Sequence, residues 1–413
     1  METDPRSELE TLFNLLAPQT ALAHVLPALT APDWQRLEQV AAQHDLTLIL
    51  YDRLAPLPGL VPEDVRERLR SAYLQATARN LLILHHAGTI LTALKAEGIE
   101  VIVLKGLYLA EVVYPAPGLR TFDDLDLLLH RADLSAALAV MRGLGYQLST
   151  WYDPADPNRD LKHLPPLLKE NAPVVELHWT ILEEEEPFTI DVEGLWARRL
   201  PARVAGVDVS SLSAEDLVLH LALHTTYQHR LAGGARGLCD IAAVLRHSTG
   251  QFDWQLLLDT AQGWGAQRTA WLTFQLLPRV TGEEVPSWVL AQLLPDPPGE
   301  GIVERALRQL VRPQSVLPAV TPDLAALAQT KGFFGKLSLV LRRVFIPRRV
   351  LAREYNVDPR SLRLYLYYPV RLARLLREYR GSAVRLLRGE GDALASARRE
   401  NARGDLRNWL GGK

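Results

Sequence analysis

The sequence predicts an α+β chain in which a short strand-bearing centre lies between two helical regions. Three observations predict it. Apolar side chains recur at helical spacing through residues 1–98 and again through much of the chain after residue 211. Residues 101–104 and 122–129 are short apolar runs of strand length, and the first is rich in β-branched residues. Residues 174–179 alternate cleanly, with Glu176 and His178 on one face and Val175, Leu177 and Trp179 on the other.

In the N-terminal region, Thr30 is placed to cap a helix that carries Pro32 in its first turn. Pro56, Pro58, Gly59 and Pro62 mark a loop, and residues 79–97 read as a helix closed by Gly98. In the centre, residues 107–113 suit one or two helical turns stopped by Pro115 and Pro117. In the run 122–129, Leu125, Leu127 and Leu129 face the core, while Asp124 and Asp126 face outward. Asp133 is expected to cap a helix over 134–144 that stops at Gly145, and residues 146–150 read as a third strand. A loop rich in Asp, Pro and Asn follows. Ser213 and Asp216 resemble a capping box, and residues 217–227 and 237–246 are the clearest helices after it. These textures divide the chain into residues 1–98, 99–205, 206–330 and 331–413.

At 413 residues, about half of them apolar, the chain is long enough for two or three globular domains. No apolar run reaches the ~18 residues needed to span a membrane, and the acidic start lacks a secretory h-region. Cys239 is the only cysteine, so no internal disulfide forms; together these features predict a cytoplasmic protein.

The chemistry is carried by a few positions. Asp124 and Asp126 aim two carboxylates at one spot, where they repel each other unless a hard divalent cation lies between them. Glu176, on the polar face of a later strand, is the best third carboxylate, as metal ligand or as the base that takes a proton from an attacking hydroxyl. Lys105 and Gly106 end the first strand, where Gly permits close backbone approach to a phosphate, and Lys105 is placed either to contact that phosphate or to form a salt bridge with one of the two aspartates. Arg120 is a second phosphate candidate, unless it pairs with Asp123 or Asp124. His178 shares the face of Glu176 and is placed to touch substrate or metal. His220 and His224 stand four apart, but no general-base Glu lies between them, so the zinc-protease pattern is absent. Contact across an active-site cleft and ordinary helix histidines both remain open for them. Arg236 and Asp240, also four apart, are expected to pair with each other. The pattern points to metal-dependent phosphate transfer.

The residues Leu104, Lys105 and Gly106, Tyr114 and Pro115, Gly118 and Arg120, Asp123 to Asp126, Gly145 and Tyr146, and Glu176 to Trp179 resemble the uncharacterised bacterial nucleotidyltransferase family, part of the polymerase-beta-like superfamily. The helices carrying His220, His224, Cys239 and Asp240 are similar to those that follow the catalytic domain in that family. The resemblance implies a small mixed sheet flanked by helices. It also implies a magnesium- or manganese-dependent enzyme that moves a nucleoside monophosphate from an NTP, ATP by expectation, to an acceptor hydroxyl or phosphate. Asp124, Asp126 and Glu176 would be the catalytic metal ligands, and Lys105, Gly106, Arg120 and His178 would meet the nucleotide. The wider superfamily has Gly-Gly or Gly-Ser where this chain has Lys105 and Gly106. Two rival readings follow: a nucleotide-binding module without turnover, and a toxin-antitoxin-type transferase acting on RNA or protein.

Residues 331–413 are basic, with about twenty Lys and Arg against about seven Asp and Glu. Arg371, Arg374 and Arg377 are expected along one side of a helix, with Leu372, Leu375 and Leu376 on the other. Packing within the chain or an oligomer, an anionic membrane surface and nucleic acid are its candidate partners, the first being preferred.

Overall fold

The computed structural model describes residues 5–149, 162–299, 301–311, 361–375 and 404–412, residue 377, and scattered positions between 341 and 357. The expected loop of Asp, Pro and Asn, Leu376, and much of the basic segment lie outside the described residues. The chain divides into two compact units, residues 1–313 with 409–413, and residues 314–408.

The larger unit is α+β, built on a seven-stranded mixed sheet. In chain order the strands are β1 (Ile102–Val103), β2 (Asp124–Leu128), β3 (Gln147–Leu148), β4 (Leu167–Leu168), β5 (Val174–His178), β6 (Leu200–Val204) and β7 (Val207–Ser211). Their spatial order is β3-β4-β5-β2-β1-β7-β6. β2 pairs parallel with β5, and β1 pairs antiparallel with β2 and parallel with β7.

One face of the sheet is dry. Val101, Val103, Leu125, Leu127, Leu129, Val175 and Leu177 pack there on Ile83, Ala87, Ile90, Leu91 and Leu94 of the helix Glu63–Ala96, and on Ala137 and Met141 of the helix Leu134–Gly143. The expected helix over 79–97 is therefore the second half of a 34-residue helix that starts directly after Pro62. Gly98 follows with φ +72°, a conformation open to glycine. Asp133 precedes Leu134–Gly143, but its side chain makes no capping hydrogen bond. Thr30 and Asp33 do bond: the Thr30 backbone N–H donates to Asp33 Oδ2 at 2.9 Å.

Two features went unread in the sequence. Residues 200–211 form the β6–β7 hairpin, whose two-residue turn has positive φ at both Ala205 (+50°) and Gly206 (+77°). π-Helical segments, Leu109–Val113 and Leu223–Gln228, follow the helical turn Lys105–Tyr108 and the helix Ala214–Ala222. Such bulges gather at functional sites.

The smaller unit has a modest core of Leu351, Ala352 and Leu364. Its helix corrects the expected sidedness of the basic segment. Arg371 is buried with Leu375, four residues on, whereas Leu372 is exposed.

Candidate functional site

Strand register assembles the site. Asp126 stands opposite Glu176, and Leu128 opposite His178, across the parallel pair β2 and β5. Since alternate residues share a face, Asp124, Asp126, Glu176 and His178 emerge together on the side away from the helix-covered core. His178 Nε2 lies 2.9 Å from Asp126 Oδ1 and 3.3 Å from Glu176 Oε2. The other oxygen of Asp126 is 2.9 Å from Lys105 Nζ. His163 comes from a segment that bridges antiparallel to His178, and its Nε2 is 3.4 Å from Glu176 Oε2.

The charges fit that geometry. Burial pushes the Asp126 carboxyl up, but the Lys105 ammonium and the His178 hydrogen bond override it and hold the group well below the usual carboxylate range. Burial also opposes ionisation of Glu176, yet His178 and His163 keep it lowered. Asp124 goes the other way: burial and the neighbouring charge of Asp126 raise it. Burial opposes charge on Lys105, but Asp126, Asp124 and Glu176 outweigh burial and raise it. Lys105 also has a backbone φ of +29°, a region that costs an L residue about 1–3 kcal/mol. A buried, strained lysine at the end of β1 is held there by its surroundings, with Asp126 as its ion-pair partner.

A second cation, Lys162, was not foreseen. Burial and the charge of Lys105 lower its ammonium, while Asp126, Glu176 and Glu183 oppose the shift. His220 is buried and His224 half-buried; burial first, then the charges of Lys105 and other cations, hold both well below the ordinary imidazole value. Asp126 and His178 also act on His220, which places this histidine helix beside the carboxylates.

Arg120 is committed elsewhere. Its Nη2 donates to Asp240 Oδ2 at 2.9 Å and its Nε to Asp240 Oδ1 at 3.3 Å, while Nη1 donates to the Thr121 carbonyl at 2.7 Å. Tyr114 Oη donates to the same Asp240 at 2.9 Å. The expected pairing of Arg236 with Asp240 is replaced: Arg236 Nη1 lies 3.4 Å from Asp45 Oδ2. Asp123, the other expected partner of Arg120, pairs with Arg79. Gly106 packs into this cluster, where an added Cβ would meet Phe122 Cβ at 2.8 Å and Arg120 Nη1 at 3.1 Å. Asp240 could not have been chosen as the partner from spacing, because 120 residues separate it from Arg120.

Asp126, Glu176 and His178 each offer one ligand atom within 4.8 Å of the others, the one such group found among the described residues. That spacing suits ligands arranged around a single divalent cation, with bonds of about 2.1 Å for magnesium. Asp124 shares the face but is not in the group. A family model described as uncharacterised nucleotidyltransferase matches residues 30–282, more than half of the chain. This chain belongs to that nucleotidyltransferase family. The match takes in the sheet and the histidine-bearing helix, so the carboxylate cluster lies inside the nucleotidyltransferase region. No curated protein and no solved structure matches the chain.

Proposed function

We propose that this nucleotidyltransferase moves a nucleoside monophosphate from an NTP, with ATP as the first donor to test, to an acceptor hydroxyl or phosphate and releases pyrophosphate. The supporting observation is the convergence of Asp126, Glu176 and His178 from adjacent parallel strands, inside the region that carries the family match. On this reading the fold is the small-sheet core of the polymerase-beta-like superfamily, and its catalytic part runs past the expected limit of 205 to the end of β7, which pairs with β1.

Asp126, Glu176 and His178 would hold the divalent cation, with Asp124 at its rim. Bound there, the cation supplies charge neutralisation along the triphosphate. A neutral His178 that presents Nε2 to it carries its proton on Nδ1, which has no hydrogen-bond partner among the described residues. Lys105, released from Asp126 when other positive charge arrives, and Lys162 receive the outer phosphates. Gly106 keeps the turn close-packed, and Arg120 orients that turn through Asp240. The acceptor oxygen attacks the α-phosphorus, the bond to the bridging oxygen breaks, and pyrophosphate leaves. Glu176, held as a carboxylate, serves as the third ligand or, with Asp126 and His178 alone holding the ion, takes the acceptor proton.

The experiment is pyrophosphate release from each NTP with magnesium or manganese, for the parent and for Asp126→Asn. Turnover by the parent that falls at least about 100-fold in the variant supports the reading. An NTP that binds without pyrophosphate release under any of these conditions favours the non-catalytic binding module instead.

A further inference from the structure

The smaller unit carries an apolar face turned outward. Leu362 and Tyr365, three apart in the 3₁₀ turn Leu362–Leu366, lie on one side and are 79 % and 53 % exposed. Leu366 and Val370, one helical turn apart, are 71 % and 51 % exposed. The opposite side of this short helical stretch is the one that packs: Leu364, Arg371 and Leu375 are buried, and Leu364 meets Leu351 and Ala352. The segment therefore carries apolar side chains on two sides, and Leu364 and Leu375 are buried while Leu362, Leu366 and Val370 are exposed. Cations frame the outer face. Arg363 is exposed beside it, and the Arg348 guanidinium lies 5.0 Å from the Tyr365 ring centre, whereas Arg374 lies 5.7 Å from the ring centre of Tyr355.

We propose that this face docks on the surface of an anionic lipid bilayer. Residues 331–413 carry 20 Lys and Arg against 7 Asp and Glu, which leaves 26 against 41 in residues 1–330 out of the 46 and 48 of the whole chain. A bilayer with anionic headgroups matches both halves of the surface: Leu362, Leu366 and Val370 enter the acyl boundary, Tyr365 sits at headgroup depth, and the arginines reach lipid phosphates and carboxylates. An acidic protein surface would meet the arginines but leave the leucines in water. A second copy of this basic face would bring like charge against like charge. No helix among the described residues is long and apolar enough to cross a membrane, so the contact is one of lying on the surface. The inference is independent of the reaction proposed above.

The test is co-sedimentation of the full chain with vesicles of phosphatidylcholine containing phosphatidylserine, and with phosphatidylcholine vesicles alone, across a salt series. Two double variants accompany the parent: Leu362→Glu with Leu366→Glu, and Arg363→Glu with Arg377→Glu. The parent is expected to bind the anionic vesicles, to leave the neutral ones largely unbound, and to release with salt. Each double variant is expected to bind at least about tenfold more weakly while melting at the parent's temperature. The proposal is overturned if the parent does not sediment with anionic vesicles at low salt, or if the Leu362→Glu, Leu366→Glu protein binds them as tightly as the parent. It is equally overturned if light scattering shows a parental dimer that this variant dissolves, since the face would then join two copies.

Discussion

Lys105 Nζ lies 2.9 Å from Asp126 Oδ2, and both side chains are buried. The chain's own cation thus compensates the carboxylate that a divalent ion also needs. Replacing Lys105 by Met leaves Asp126 with His178 as its remaining partner, and removal of one member of a buried pair costs about 3–5 kcal/mol. Lys105→Met is expected to unfold at lower urea and to gain more melting temperature from manganese than the parent does. An equal manganese response in the two proteins would show that Lys105 and the ion do not share Asp126.

Gly106 has no room for a side chain. Its Cβ would press on Phe122 at 2.8 Å, a rigid neighbour, so Gly106→Ala is expected to lose about 1–3 kcal/mol and to displace the Lys105 turn. Chemical denaturation and nucleotide titration would check both effects. Parental stability in this variant would contradict the close packing.

Asp240 satisfies a buried arginine and a half-buried tyrosine at once. Asp240→Asn removes the charge opposite Arg120, with an expected loss of about 3 kcal/mol. Tyr114→Phe removes a single hydrogen bond and is expected to cost about 1 kcal/mol. Combined, the two substitutions should fall short of additivity, because they share one carboxylate. Strict additivity in a double-mutant cycle would refute a common network.

Acid should destabilise the fold from near neutrality. His44 is buried, and burial lowers its imidazole from 6.5 to about 4. Between these values the unfolded chain binds a proton that the folded chain refuses, so stability is complete above 6.5 and is lost as pH falls toward 4. The shift corresponds to at most about 3 kcal/mol. His220 and His224, lowered in the same direction, add to it. His44→Asn is expected to flatten the slope of unfolding free energy between about pH 7 and about pH 5. An unchanged slope would mean that His44 charges equally well in both states.

Much of the site was legible from local periodicity. The two-residue repeat of a strand places Asp124 with Asp126, and Glu176 with His178, wherever the chain goes. Caps and breakers did nearly as well: Thr30, Pro62 and Gly98 mark true helix ends, although the helix before Gly98 begins sixteen residues earlier than its periodicity suggested. The β6–β7 hairpin passed unnoticed because its strands are short and only partly buried: Ala202 and Val204, then Val207 and Val209, alternate with polar residues for too few positions to stand out, and Pro201 interrupts the first strand.

The short-range pattern therefore specified which side chains share a face, since that depends on backbone geometry between near neighbours. It did not specify which charges meet. Of the two aspartates open to Lys105 it meets Asp126, while Arg120 finds Asp240 and Arg236 finds Asp45, because packing brings those groups together from distant parts of the chain. Lys162 joins the site for the same reason, carried there by a segment that returns along β5. Arg371 turned inward with Leu375, and Leu372 outward, because the small core beneath that helix accepts one face and spacing alone does not say which. Such pairings are decided by which groups leave water together, a choice that belongs to the folded chain as a whole.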